Sequence, residues 1–163
     1  MKFRSVFLLI LVSVIFSSCN KQKVYFSQTH TFNHGIWPRF EHVIFDVPIP
    51  PSKNLDMVLE ITHDQSINFN ILPLHVIMTN EDGEERIREF QIRLKDAHEF
   101  RGEIQDDGMI VYKHVIRSNF STPAQTTYNV DIECFYPKYE IPCIYALTLK
   151  LVKASNADKK DNM

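Results

Sequence analysis

From Val24 onward, apolar residues recur at every second position rather than every third or fourth. Val43, Phe45 and Val47 alternate with His42, Ile44 and Asp46. Leu55, Met57, Leu59 and Ile61 alternate with Asp56, Val58, Glu60 and Thr62. The same alternation marks Leu74–Met78, Phe90–Leu94, Tyr128–Cys134 and Tyr145–Leu151, and a further strand is expected over Met109–Ile116, with a short one over Phe100–Ile104. Period two sends successive side chains to opposite faces of a strand. Each strand therefore has one apolar face to bury, and no helix of about twelve residues is expected, the length a stable helix needs.

The breaks between these runs carry turn chemistry. Pro48, Pro50 and Pro51 end one strand, because proline has no N–H to give to a ladder. Asp82-Gly83 and Asp106-Asp107-Gly108 read as turns between strands, and Ser118–Gln125 as a loop around Pro123. Seven or eight such strands need a second apolar layer, which predicts an all-β fold: an antiparallel β-sandwich, with a small barrel as the alternative. The expected single domain spans residues 24–152, and residues 153–163 form a polar, lysine-rich tail.

The first residues have a different character. Lys2 and Arg4 precede an apolar run from Val6 to Phe16, eleven residues long and broken only by Ser13. As a helix this reaches about 16 Å, against a hydrocarbon core of about 30 Å. It reads as a secretory signal over residues 1–18. Phe16-Ser17-Ser18-Cys19 is similar to a bacterial lipoprotein processing site, which implies a lipid on Cys19 and a short spacer over residues 19–23. By resemblance to enteric-type lipoprotein sorting, Asn20 rather than aspartate after Cys19 favours the outer membrane, with the cell membrane as the alternative, and the absence of an acidic cluster after it favours a periplasm-facing position over the cell surface.

Little in the chain carries catalytic chemistry. Four glycines cannot assemble a phosphate-cradling loop, and a formal net charge of −2 gives no footprint for nucleic acid. The seven histidines are scattered, and His63-Asp64 has no third ligand at useful spacing, so no metal, cofactor or catalytic residue is assigned. The acidic clusters at Glu81–Glu85 and Asp106-Asp107 coincide with turns and read as solvated loops. Cys134 and Cys143 flank a connection and are candidates for a disulfide, the alternative being two buried free thiols. Trp37, Tyr136 and Tyr139 are candidate partner-binding aromatics that could equally close the ends of a sandwich core.

Taken in order, several short motifs resemble the gliding motility lipoprotein family GldH. They are Val24-Tyr25, Asn33–Trp37, Asn54-Leu55 running to His63, Glu81-Asp82-Gly83, Phe100-Arg101-Gly102, Asp106-Asp107-Gly108, Tyr128–Ile132 and Ile141–Leu149. A glycine that the family carries near the last strand is replaced here by Pro142-Cys143. The resemblance implies a non-enzymatic, membrane-tethered component of a Bacteroidetes gliding or secretion assembly, with protein partners in the envelope. A periplasmic module binding carbohydrate or peptidoglycan is the alternative that the aromatic residues leave open.

Overall fold

The computed structural model describes residues 22–97 and 99–154. The expected signal segment, Cys19 and the tail beyond Ala154 lie outside the described residues. In chain order the elements are β1 (Val24–Thr31), a 3₁₀ turn (Asn33–Gly35), β2 (Ile36–Pro38), β3 (Val43–Ile49), β4 (Ser52–His63), β5 (Ile71–Asn80), β6 (Glu85–Arg93), β7 (Lys95–Asp96), β8 (Glu99–Phe100), β9 (Glu103–Ile104), β10 (Ile110–Thr122), β11 (Thr126–Cys134), β12 (Glu140–Pro142) and β13 (Ile144–Lys153). One five-stranded sheet has the order β1-β13-β4-β10-β9, and a four-stranded sheet has the order β3-β11-β5-β6. Both keep free edges, so this is the sandwich and not the barrel.

Alternation does the work expected of it. Phe45 and Val47 on β3, Leu55–Ile61 on β4, Leu72–Met78 on β5, Val130 and Ile132 on β11, and Leu147–Leu151 on β13 send every second side chain into the space between the sheets. Each such burial contributes about 1.5–3 kcal/mol, most of it offset by the ordering of the chain. Arg117 closes one end of this core. Its guanidinium lies 4.2 Å from the Phe120 ring on its own strand and 5.0 Å from the Tyr128 ring on the opposite sheet.

Two segments depart from the expected pattern. The loop expected over Ser118–Gln125 is mostly strand, since β10 runs on to Thr122. Register shifts beside Arg117 and Phe120 scramble the alternation there, and Asn119 adopts φ +48° while Asp56 Oδ1 accepts its N–H at 2.7 Å. Bulges of this kind hide a strand from a period-two reading. The stretch around His30, which shows no clear alternation in the sequence, ends strand β1, an edge strand paired only with β13 and correspondingly polar. The longest edge strand, β6, carries Glu85, Arg86, Arg88, Glu89 and Arg93, charges that discourage pairing with another chain.

The sandwich has two unlike ends. β1 starts beside Val152, at the end that also holds the Pro50-Pro51 corner, the Asn80–Glu84 turn and the Pro123–Gln125 connection. At the opposite end lie the Phe32–His42 segment, His63 and the Cys134–Cys143 connection, where β2 and β12 form a small ribbon of their own.

Candidate functional site

The far end, where β1 finishes, gathers most of the residues singled out in the sequence, but in unlike roles. Trp37 is fully buried. Its ring stacks on Phe32 at 5.0 Å, and its Nε1–H donates to the Glu41 carbonyl at 3.0 Å. It is therefore a core residue with its one polar atom satisfied, and its expected role in partner or carbohydrate contact is corrected: it offers no face to a ligand. Tyr136 is half-buried against Phe69, ring centroids 4.8 Å apart. Only Tyr139 stands clear, 78% exposed, beside Phe40, 73% exposed, with the two rings 6.3 Å apart.

The backbone accounts for this pairing. Arg39 N–H donates to the Tyr139 carbonyl at 2.9 Å, extending the β2–β12 ribbon by one rung and bringing the two tips together. The Arg39 guanidinium lies 5.5 Å from the Phe40 ring. The result is an apolar tip flanked by Arg39 and Lys138. In the sequence Phe40 groups with Phe32 and Trp37 before the first strong strand, but it is not among the partner-binding candidates. Its signal was an aromatic next to an arginine just past Pro38, in a segment without alternation.

Behind the tip, Asp64 organises a polar corner. Its Oδ2 accepts the Tyr145 hydroxyl at 3.0 Å, its Oδ1 accepts the Ser66 N–H at 2.7 Å, and its own N–H points to the Cys143 carbonyl at 3.4 Å. Cys143 sits at φ +67°, the left-handed conformation that suits glycine. Next to it, His63 is fully buried, and its Nδ1 lies 3.0 Å from the Asp64 carbonyl. A carbonyl can only accept, so the neutral ring carries its proton on Nδ1.

Both cysteines are free thiols in the structure, so the expected pairing is not formed. Burial pushes the buried Cys134 thiol up to about 11. Burial, followed by the Asp64 carboxylate, raises that of half-buried Cys143. Neither is an activated nucleophile. A disulfide-exchange dye at pH 8 is expected to modify Cys143 in the native protein and Cys134 only after unfolding. Finding neither thiol in unreduced, denatured protein would show instead that they pair.

Burial, the largest influence, lowers the proton affinity of His63 and His114. For His63, Asp64 and the backbone of Arg101 oppose the shift. A histidine whose folded value is depressed contributes stability that is complete above the unfolded value of 6.5 and is lost as pH falls below it. His42 has the opposite sign: a hydrogen bond to Asp131 raises it, so its contribution is present below 6.5 and fades as pH rises through the raised value. His42 is solvent-exposed and its share is small, so the buried His63 and the half-buried His114 set the slope. The urea midpoint is expected to fall between pH 7 and pH 5, and less steeply in His114→Phe.

One constellation escaped the sequence reading. His42 precedes β3, Asp131 and Glu133 face outward on β11, and His75 faces outward on β5 opposite Glu133. The His42 ring lies with Nδ1 2.9 Å from Asp131 Oδ2 and Nε2 2.7 Å from Glu133 Oε1, while His75 Nδ1 is 3.7 Å from Glu133 Oε2. Pairing across the sheet assembles these four, and their separation along the chain concealed them.

Comparison with known proteins bears on this geometry as a whole. No curated protein sequence matches the chain. Among solved structures it is similar to the VP2 subviral particle of infectious bursal disease virus (13% identity, TM-score 0.40, covering 83% of this chain and 33% of that one). It is also similar to the Gx strain of the same virus (14% identity, TM-score 0.38, covering 85% and 33%). The chain thus spans about a third of the length of those proteins. The family model described as GldH lipoprotein matches residues 24–151, all of the sandwich but the last two residues of β13. Members of that family are non-catalytic, lipid-anchored proteins of the cell envelope linked to gliding motility. Among the described residues no helix is long and apolar enough to cross a membrane. The chain belongs to the GldH lipoprotein family.

Proposed function

We propose that this protein holds a partner of the motility or secretion machinery at the far end of its sandwich, while a lipid on Cys19 holds the other end to the membrane. The observation that carries this reading is the pair Phe40 and Tyr139, 73% and 78% exposed, the most exposed aromatic rings at an end where Phe32, Trp37 and Phe69 are buried. Large exposed aromatics ringed by polar groups are the usual anchors of protein interfaces. The tether from Cys19 to Val24 reaches at most about 17 Å, so the end where β1 starts stays close to the bilayer. The twelve residues of β4 span about 40 Å and put the tip that far into the periplasm.

A photo-crosslinking residue placed at Tyr139 in the lipidated protein, in its own envelope, tests this. A discrete protein adduct is expected from position 139 and none from position 125 at the membrane-proximal end. Equal adducts from both positions, or retention by purified glycan without any adduct, would move the assignment to a peptidoglycan- or carbohydrate-binding module.

A further inference from the structure

We propose that the outer face of the four-stranded sheet carries a binding site for a divalent transition-metal ion of the zinc class, with His42 Nε2, His75 Nδ1 and the Glu133 carboxylate as ligands and Asp131 holding the other nitrogen of His42. Part of the required arrangement is already present, with the Glu133 carboxylate standing between the two rings. A tetrahedral ion bonded at about 2.0–2.2 Å sets its ligand atoms about 3.3 Å apart. Glu133 presents one oxygen 2.7 Å from His42 Nε2 and the other 3.7 Å from His75 Nδ1, so its carboxylate lies within reach of both rings and a small shift of the His75 side brings all three onto one ion. His42, Asp131 and Glu133 each place a ligand atom within 4.8 Å of the others.

The support around these ligands is also present. Asp131 lies against His42 Nδ1 with both oxygens, at 2.9 and 3.1 Å. A metal-bound imidazole characteristically donates its second N–H to a carboxylate in this way, which fixes its tautomer and its orientation. The His75 ring is steadied edge-on against Phe135, centroids 5.3 Å apart. β11 and β5 are adjacent strands of one ladder, so Glu133 and His75 face each other by register rather than by loop conformation. Two imidazoles and carboxylate oxygens suit zinc and its neighbours, whereas calcium and magnesium call for oxygen donors throughout. The side chains of the four residues are between 21% and 47% exposed, so an ion reaches them directly, and water completes the coordination.

The site lies at the same end as the aromatic tip, with His42 two residues from Phe40, but it uses none of the tip's side chains. Its test is calorimetric titration of the full, untagged chain in detergent with Zn²⁺. One saturable equivalent is expected, undiminished by excess Mg²⁺ and retained in Cys143→Ser. His42→Gln and Glu133→Gln are each expected to weaken it more than tenfold, and Asp131→Asn by about 10- to 100-fold, the usual cost of losing such a support. Absence of a saturable equivalent, or binding indifferent to His42→Gln and Glu133→Gln, would overturn the assignment. Should those variants fail to fold, Co²⁺ added to the unmodified chain decides the matter by NMR. Paramagnetic shifts on the ring protons of His42 and His75 uphold the site, and shifts confined to His63 and Cys143 refute it.

Discussion

Trp37→Ala is expected to lower the unfolding free energy by about 3–5 kcal/mol, the range for emptying a buried tryptophan site. The ring is fully enclosed and stacked on Phe32, and its removal also leaves the Glu41 carbonyl without the indole donor. Tyr139→Ala, only a short way along the same end, is expected to change stability by no more than about 0.5 kcal/mol, because its ring is 78% exposed. Urea denaturation of the two variants measures this contrast. In the proposed assembly their effects on partner capture divide differently. Tyr139→Ala leaves a folded protein that captures poorly, whereas Trp37→Ala loses capture only in step with its folded fraction. Equal stability in the two variants would contradict the burial of Trp37.

Gly35→Ala is the second large effect, expected to cost about 2–4 kcal/mol from overpacking combined with a left-handed backbone. Gly35 has φ +67°, and a Cβ there would come within 2.6 Å of the Tyr145 ring. The ring cannot swing aside cheaply, since its hydroxyl is bonded to Asp64 at 3.0 Å. A thermal melt of Gly35→Ala beside Gly83→Ala separates contact from conformation. Gly83 also has positive φ but meets nothing within 4 Å, so its substitution is expected to cost distinctly less.

These two residues mark where sequence was informative and where it was not. The strands β3, β4, β5, β11 and β13 were legible because each buries one face, and the alternation of Val43–Val47 or Leu55–Ile61 is the direct imprint of that face. β10 was only half legible, because its bulges beside Arg117 and Asn119 break the period. At the far end, Trp37 and Tyr139 are both aromatics in non-alternating segments. Which one is buried depends on the β2–β12 pairing, and nothing local to either residue records that pairing. The His42, His75, Asp131 and Glu133 constellation was invisible for the same reason, since its members meet only once three strands are aligned.

The course of β1 also has a mechanical consequence. The strand starts at Val24, the end nearest the proposed tether, and runs the length of the sandwich to Thr31, paired with β13 apart from a bulge between Val24 and Phe26. Suppose the membrane pulls on Val24 while a partner resists at Phe40 and Tyr139. The load then lies along the strands, and the cross-strand bonds, which run perpendicular to them, are strained together in shear. Had β1 entered from the other end, the same pull would peel those bonds apart one at a time. A domain strung in this direction transmits tension between a bilayer and a moving assembly without unzipping its own edge.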